Sequence, residues 1–142
     1  METTKQSKKV LYTGKIHTTG GREYGVSRSS DGILDIKLSN PGTGAIGTNP
    51  DQLFGAGWSA CFESAMGTAA RRMRINLPEA TAIDAEVDLC LDNREYSLQA
   101  RLNISLPGLD RELGRQVIDA ARNICPYSRA INGNVDVEYN LV

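Results

Sequence analysis

Thiol and imidazole groups are scarce in this sequence, and their number limits the chemistry that it can support. The 142 residues contain three cysteines, Cys61, Cys90 and Cys125, and one histidine, His17. Zinc sites need several cysteine or histidine ligands at close spacing, whereas successive cysteines here are 29 and 35 positions apart. A catalytic Cys–His or Ser–His–Asp arrangement would have to use His17. Any catalysis must therefore run with little histidine.

The three cysteines lie in different contexts. Cys90 alternates with acidic residues on the polar face of a predicted strand; carboxylates disfavour a thiolate, so we interpret it as a spectator. Cys61 lies within a predicted helix, where burial alone would raise its pKa, so a reactive thiolate requires a nearby cation. Cys125 precedes Pro126 at the start of a short helix, whose N-terminus favours a thiolate. The alternative for all three is a small buried hydrophobic role, and spacing does not show that Cys61 and Cys125 meet.

A glycine-rich segment, Gly42–Gly47, matches the pattern G-x-G-x-x-G between a predicted strand and a predicted helix. This pattern binds dinucleotides when a buried parallel strand precedes it and the helix N-terminus faces the pyrophosphate. Here the preceding strand alternates between apolar and polar residues, and Asp51 would place a carboxylate where the pyrophosphate should bind. We therefore interpret the segment as a flexible loop.

A long helix carries Cys61. Asn49 is a favourable N-cap, Pro50 suits the first helical position, and Gln52 lies where a capping box has Glu or Gln. Apolar residues then recur at intervals of three and four, and small residues fill much of the remaining surface. A cluster of arginines ends the helix near residue 74, as the negative C-terminal dipole favours. Such a helix is typical of a central, tightly packed element.

Alternating apolar and polar residues predict the strands. The clearest pattern is a hairpin with strands over 83–91 and 95–106, joined by a tight polar turn. A second helix is predicted from about Asp110 to Asn123, and a short helical turn starts at Pro126. The remaining predicted strands are Val10–His17, Tyr24–Arg28 after a turn at Gly20-Gly21, Ile33–Leu38 and Val135–Leu141. The order of three strands, helix, two strands, helix and strand predicts an α+β fold with a largely antiparallel sheet.

Length and composition indicate one globular domain over 1–142, with a loose N-terminal tail at 1–9. Hydrophobic residues make up 40% and charged residues 23% of the chain, which excludes a disordered protein. The net charge of −1 argues against nucleic-acid binding, and no apolar run approaches the roughly 18 residues of a membrane span. Because the polar N-terminus does not match a secretory signal, we predict a cytoplasmic protein with no nucleic-acid or membrane partner.

Two segments around the cysteines carry a specific resemblance. The run Asn49–Phe54 leading into Ala60–Phe62, together with Cys125–Ser128, resembles the organic hydroperoxide resistance (Ohr) proteins of the Ohr/OsmC family. Shorter pieces such as Gly20–Arg22 also fit, and the similarity covers residues 10–142 in order. Tyr127 indicates the Ohr branch rather than the OsmC branch. The departures are an aspartate at position 51, where the branch usually has glutamate, and a turn over 91–95 that lacks the usual glycines.

The resemblance implies a fold and an activity. The fold is an intertwined homodimer with antiparallel sheets packed around two central helices. The activity is that of a thiol peroxidase that uses no metal, haem, flavin or other cofactor, reduces organic hydroperoxides to alcohols, and serves in oxidative stress defence. By this resemblance Cys61 is the peroxidatic cysteine, Arg22 its neighbouring cation, Asp51 the carboxylate that holds Arg22, and Cys125 the resolving cysteine. The reductant implied is dihydrolipoamide or a lipoylated protein.

Two alternatives remain at this point. The same apolar helix suits a non-catalytic module that binds a small hydrophobic ligand, with inert cysteines. A divergent OsmC-type peroxidase with an altered substrate range is the second. Arg22 is otherwise an ordinary surface arginine in a Gly-Gly turn, and Asp51 otherwise stabilises the dipole at the start of its helix.

Overall fold

A computed structural model describes residues 8–142 of the chain. It divides into two compact units, the residues up to Asn49 and Pro50–Val142. The prediction of a single domain over 1–142 stays a prediction. The predicted tail at 1–9 lies mostly outside the described residues.

The first unit contains a three-stranded antiparallel sheet. Its strands are β1 (Ile16–Thr19), β2 (Val26–Ser29) and β3 (Asp35–Lys37), in that order across the sheet. One helical turn, α1 (Gly21–Tyr24), joins β1 to β2.

All three strands of this unit begin later than predicted. The strand expected over Val10–His17 begins only at Ile16, the one expected from Tyr24 begins at Val26, and the one expected from Ile33 begins at Asp35. Gly20 and Gly21 take φ values of 79° and 66°, which glycine adopts without strain, and lead into α1 rather than a two-residue turn, so that β2 starts after this helical turn.

The second unit is built on one long helix, α2 (Pro50–Arg72). It begins at the proline predicted for its first position and ends two residues before the predicted end. Arg74 has a φ of 57°, and the Ile75 N–H donates to the Ala70 carbonyl at 2.8 Å. An arginine therefore occupies the left-handed position that usually belongs to glycine in this type of helix end.

A second sheet lies in the same unit. Strands β4 (Ala82–Asp92) and β5 (Glu95–Ser105) form the predicted hairpin, and β6 (Asp136–Leu141) pairs with β5 in parallel. The hairpin turn consists of Asn93 and Arg94, which both have positive φ, as the right-handed twist of two-residue hairpins favours.

Two further helices complete the unit, α3 (Arg111–Ile124) and α4 (Pro126–Ile131). The Asp110 side chain caps α3 by accepting from the Leu113 N–H at 3.2 Å. Helix α2 packs against both the β4–β5 hairpin and α3. The largest fully buried side chains of this core are Trp58, Phe62, Met66, Leu102, Ile104, Val117 and Cys125.

Candidate functional site

The fold brings two of the three cysteines together. The Cys61 and Cys125 Sγ atoms lie 3.4 Å apart although 64 positions separate them in the chain. Both are free thiols; Cys61 is half-buried on α2 and Cys125 is fully buried. A disulfide bond is about 2.0 Å long, so a small side-chain movement would join the two sulfurs.

Cys125 occupies the break between α3 and α4. Its N–H donates to the Ala121 carbonyl at 2.8 Å and ends α3. Its Sγ accepts from the Ser128 N–H at 3.5 Å and caps α4, whose first residue is Pro126. Backbone hydrogen bonds therefore fix Cys125 between α3 and α4. Its place at the start of a short helix agrees with the sequence prediction.

A buried hydroxyl lies beside this pair. Trp58 Nε1–H donates to Ser128 Oγ at 3.0 Å, and the Tyr139 hydroxyl donates to the same oxygen at 3.1 Å. The Arg122 guanidinium lies over the Tyr139 ring, 4.5 Å from its centroid. One side chain of α4 is therefore joined to α2 and to β6.

Aromatic rings cover the surface of α2 near Cys61. The ring centroids of Phe54 and Trp58 are 5.7 Å apart, and those of Phe54 and Tyr127 are 6.5 Å apart. Gly57 makes room for Tyr127, because a Cβ at that position would lie 3.3 Å from the tyrosine ring. The surroundings of the thiol pair are therefore largely apolar.

The contacts of Cys61 oppose its ionisation. Burial is the largest cause that raises the pKa of the Cys61 thiol, and its hydrogen bond with Cys125 raises the pKa further. The hydrogen bond from the Tyr127 backbone N–H lowers the pKa of the Cys61 thiol. A thiolate at Cys61 therefore needs positive charge from a further group, as the sequence argument anticipated.

The two charged candidates lie on different elements. Arg22 is half-buried on α1 in the first unit, and Asp51 is half-buried in the first turn of α2. Asp51 precedes Cys61 by ten residues on one helix, a rise of about 15 Å. Asp51 is therefore too far along the helix to contact the thiol directly, and the expected role of Arg22 between the two stays a prediction.

Cys90 lies apart from the helical cysteines, near the turn end of β4 and opposite Ser97. Its Sγ is 3.9 Å from the Asp88 carbonyl oxygen. The Asp88 carboxylate is engaged by Arg101 at 2.9 Å and by Gln99 at 2.8 Å, and these bonds hold its pKa below the usual value.

The other sequence motifs fall outside this site. His17 is exposed on β1. Gly42 and Gly44 have φ values of 82° and 77° within an irregular segment, which confirms the loop interpretation. Among residues 8–142, no group of three or more His, Cys, Asp or Glu side chains could hold a metal ion, and no helix is long and apolar enough to cross a membrane.

Sequence reasoning did not single out Trp58, Ser128 or Tyr139 as members of the site. One signal was present: Ser128 stands three residues after Cys125, which precedes the predicted short helix, and the N–H at that spacing is the one that a capping side chain binds. The long-range bonds of Trp58 and Tyr139 leave no comparable signal, since 70 and 11 positions separate them from Ser128.

Comparison with known proteins agrees with this architecture. A family model described as OsmC-like protein matches residues 42–140. An organic hydroperoxide resistance protein of Xanthomonas axonopodis pv. citri is 43% identical over 137 residues, covering 94% of this chain and 96% of the relative. The crystal structure of the organic hydroperoxide resistance protein OhrB of Bacillus subtilis aligns with a TM-score of 0.88 at 37% identity, covering 94% of this chain and all of that one.

The chain therefore belongs to the OsmC-like family, in its organic hydroperoxide resistance branch. This confirms the resemblance seen around the two cysteines and the predicted α+β class. The residue roles and the dimer that the resemblance implied stay predictions.

Proposed function

We propose that this protein is a peroxidase that reduces organic hydroperoxides to alcohols, in defence against oxidative stress, with Cys61 as the attacking and Cys125 as the resolving thiol. The observation that carries the proposal is the 3.4 Å separation of a half-buried sulfur on α2 and a fully buried sulfur at the junction of α3 and α4. The relatives named for organic hydroperoxide resistance support the choice of substrate class.

In the first step the Cys61 thiolate attacks the distal oxygen of the hydroperoxide. The O–O bond breaks, the leaving alkoxide takes a proton and departs as the alcohol, and Cys61 becomes a sulfenic acid. The Arg22 guanidinium stabilises the thiolate, and the Asp51 carboxylate holds the guanidinium in orientation. A cation is required because burial raises the pKa of the Cys61 thiol.

In the second step the Cys125 sulfur attacks the sulfenic sulfur of Cys61, and a disulfide and water are formed. Full burial supports this division of labour, because it keeps peroxide from the Cys125 sulfur while Cys61 stays partly accessible. The resolving thiol thus remains reduced until the sulfenic acid forms beside it.

A dithiol then restores both cysteines by thiol–disulfide exchange. The reductant thiolate attacks the Cys61 sulfur, which the burial pattern leaves more accessible, and Cys125 departs as the leaving thiolate. The second thiol of the reductant closes its own disulfide and frees Cys61. Dihydrolipoamide, free or carried on a lipoylated protein, supplies two thiols suitably close for this closure.

The apolar surroundings favour organic peroxides over hydrogen peroxide. The half-buried Phe54 and the exposed Tyr127 offer ring surface near the thiol pair, and burial of an alkyl or aryl substituent there is favourable by about 25 cal/mol for each Å² removed from water. Hydrogen peroxide has no such substituent and gains nothing from this surface.

We propose that the active form is a homodimer. In the first unit several large apolar side chains lie almost fully in solvent in the single chain; these are Leu11, Tyr12, Tyr24, Ile33 and Ile46, which are 82–91% exposed. On α2 an exposed row of small residues, Ala56, Ala60 and Ser64, permits close approach of another helix. Such surfaces are typical of an interface between subunits.

Thiol titration tests the proposed function. The reduced protein is mixed with cumene hydroperoxide, and free thiols and cumyl alcohol are measured against time. We expect rapid loss of two thiols per chain with one equivalent of alcohol, and turnover when dihydrolipoamide is added. A protein that keeps its thiols under these conditions would instead be a ligand-binding module. Comparing the rates of reaction with bulky and with small peroxides distinguishes a divergent OsmC-type peroxidase with an altered substrate range.

A further inference from the structure

The hydroxyl of Ser128 has no part in the reaction steps above, yet it is the meeting point of three elements around the thiol pair. Ser128 is 3% exposed. Its Oγ receives hydrogen bonds from Trp58 on α2 and from Tyr139 on β6, while its backbone N–H donates to the Cys125 Sγ.

The spacing of these contacts follows the two helices. Trp58 precedes Cys61 by three residues on α2, and Ser128 follows Cys125 by three residues at the start of α4. Side chains three apart on a helix lie on one face, so the Trp58–Ser128 bond runs alongside the Sγ–Sγ contact. A bond of 3.0 Å between the indole and the hydroxyl therefore limits how far the backbones that carry the two sulfurs separate.

Tyr139 holds Ser128 from the opposite element. Its hydroxyl donates to Ser128 Oγ, its ring lies 5.3 Å from that of Phe62 and 6.2 Å from that of Trp58, and Arg122 covers it. Three directions of contact leave the serine little freedom.

A polar cleft of about 680 Å³ reaches this network. Arg122, Arg129 and Asn132 line it together with Ser128 and Tyr139. Water from the cleft is available to the polar atoms that remain when a single hydroxyl is removed, so variants of this network should fold.

We propose that Ser128, held by Trp58 and Tyr139, is a positioning residue for the resolving step: it keeps the Cys125 sulfur within reach of Cys61. This inference rests on the proposed function. The sulfenic acid at Cys61 has two fates. Attack by Cys125 releases water and forms the disulfide, whereas attack on a second hydroperoxide releases a second alcohol and forms sulfinic acid. The position of Cys125 determines the ratio of the two products.

The decisive variant is Ser128→Ala, which removes the hydroxyl but keeps the backbone N–H. A displacement of about 1 Å slows an intramolecular step on the order of tenfold or more, so at equal peroxide the sulfinic share of Cys61 should rise about tenfold. The rate constant of the first peroxide attack should stay within about twofold, since the hydroxyl contacts Trp58 and Tyr139 rather than Cys61. Mass spectrometry of Cys61 and stopped-flow thiol oxidation measure the two quantities.

Three further variants separate positioning from general damage. Ser128→Thr keeps the hydroxyl and should restore the wild-type product ratio. Tyr139→Phe removes one of the two bonds and should give an intermediate ratio. Ser59→Ala on α2 removes a hydroxyl that, among residues 8–142, bonds to carbonyls of its own helix, at Gly55 and Ala56, and should leave the ratio unchanged.

A peroxide-independent measurement distinguishes this inference from the proposed function. The equilibrium between the Cys61–Cys125 disulfide and dithiothreitol reports how well the two thiols are placed, and Ser128→Ala should shift it toward the reduced protein. If the wild type reduces no peroxide but this shift is seen, the peroxidase proposal fails and the positioning role survives. An unchanged product ratio and an unchanged equilibrium in Ser128→Ala overturn the positioning role. An equal fall in the rate constants of peroxide attack and of disulfide formation also overturns it.

Discussion

The proposed reaction places two opposing requirements on Cys61. It must be partly buried so that an apolar peroxide can bind beside it, and it must be ionised so that it can attack. Burial and the neighbouring Cys125 thiol raise its pKa, and the Tyr127 backbone N–H compensates only in part. The sulfur alone is therefore a poor nucleophile near neutral pH, and its reactivity depends on the residues that add positive charge.

Serine substitutions should separate the roles of the cysteines. Cys61→Ser should abolish peroxide consumption, because an alcohol at this position is not ionised near neutral pH. Cys125→Ser should still form one equivalent of alcohol and then progress to sulfinic acid, because the sulfenic acid has no resolving partner. Cys90→Ser is the matched control and should behave as wild type. Normal dithiol-dependent turnover by Cys125→Ser would contradict its resolving role.

The pH profile should report the contribution of Arg22. In Arg22→Gln the proposed cation is removed, so less opposes the burial that raises the pKa of Cys61. The thiolate fraction at pH 7 should fall, and it should grow about tenfold for each pH unit below that pKa. The wild-type rate should reach its plateau at lower pH. Arg22→Lys keeps the charge but loses the planar guanidinium, so its pH profile should lie between those of the wild type and Arg22→Gln.

Arg28→Gln is the control for this series, since Arg28 is an exposed arginine of β2 that pairs with Asp35 at 3.0 Å. Stopped-flow rate constants between pH 5 and pH 9, a range of about two units on either side of neutrality, give the profiles. Superimposable profiles for the wild type and Arg22→Gln would exclude Arg22 as the cation.

Asp51 has two separable roles. As a helix-dipole residue its replacement by asparagine should cost about 0.3–1 kcal/mol of stability and leave the rate unchanged. As the residue that orients Arg22, Asp51→Asn should also slow peroxide attack by about tenfold or more, and Asp51→Glu should keep or improve the rate. Glu112→Gln in the first turn of α3 provides the stability-only control. An unchanged rate in Asp51→Asn would leave only the dipole role.

At the scale of elements, α2 carries Cys61, the attacking thiol of the proposed reaction, together with glycines that differ in the space around them. A Cβ at Gly57 would lie 3.3 Å from the Tyr127 ring, while one at Gly55 would make ordinary contact, 3.5 Å from Val87 and 3.8 Å from Ala85. An added methyl group would therefore be crowded at Gly57 and would fit at Gly55 on the same helix.

Gly57→Ala should displace Tyr127 by a few tenths of an ångström. Because the Tyr127 backbone N–H lowers the pKa of Cys61, movement of that backbone with the displaced ring should raise this pKa and slow peroxide attack at pH 7. Gly55→Ala should leave the rate unchanged and stabilise the helix by about 0.5–1 kcal/mol. Paired rate and thermal-unfolding measurements check both. Equal rates for the two variants would show that Tyr127 does not tune Cys61.

At the scale of the whole molecule, the proposed dimer can be tested through the exposed row on α2. Ser64→Arg places a long charged side chain among small residues and should weaken association by on the order of a hundredfold, since an unpaired buried charge is costly. Gln116→Arg introduces the same charge on the exposed side of α3 and should have no effect. Sedimentation equilibrium gives the mass against the 15.4 kDa chain. A wild-type monomer would overturn the dimer proposal.

Local patterns in the sequence determined the elements of this protein and its family. The alternation over 83–106 specified the hairpin, and Asn49-Pro50 specified the start of α2, because side-chain periodicity and capping act between near neighbours. The same patterns placed the start of β1 too early and missed α1, where Gly20 and Gly21 adopt positive φ and delay the start of β2. The runs around Cys61 and Cys125 were sufficient to identify the family.

The meeting of the two sulfurs was decided by the tertiary structure. No periodicity relates residues 64 positions apart; their 3.4 Å separation results from the packing of α3 and α4 on α2. The same holds for the bonds that join Trp58 and Tyr139 to Ser128, and for the burial that raises the pKa of Cys61. Chemical groups are encoded locally, whereas their distances and surroundings arise from long-range packing, which a linear pattern does not specify.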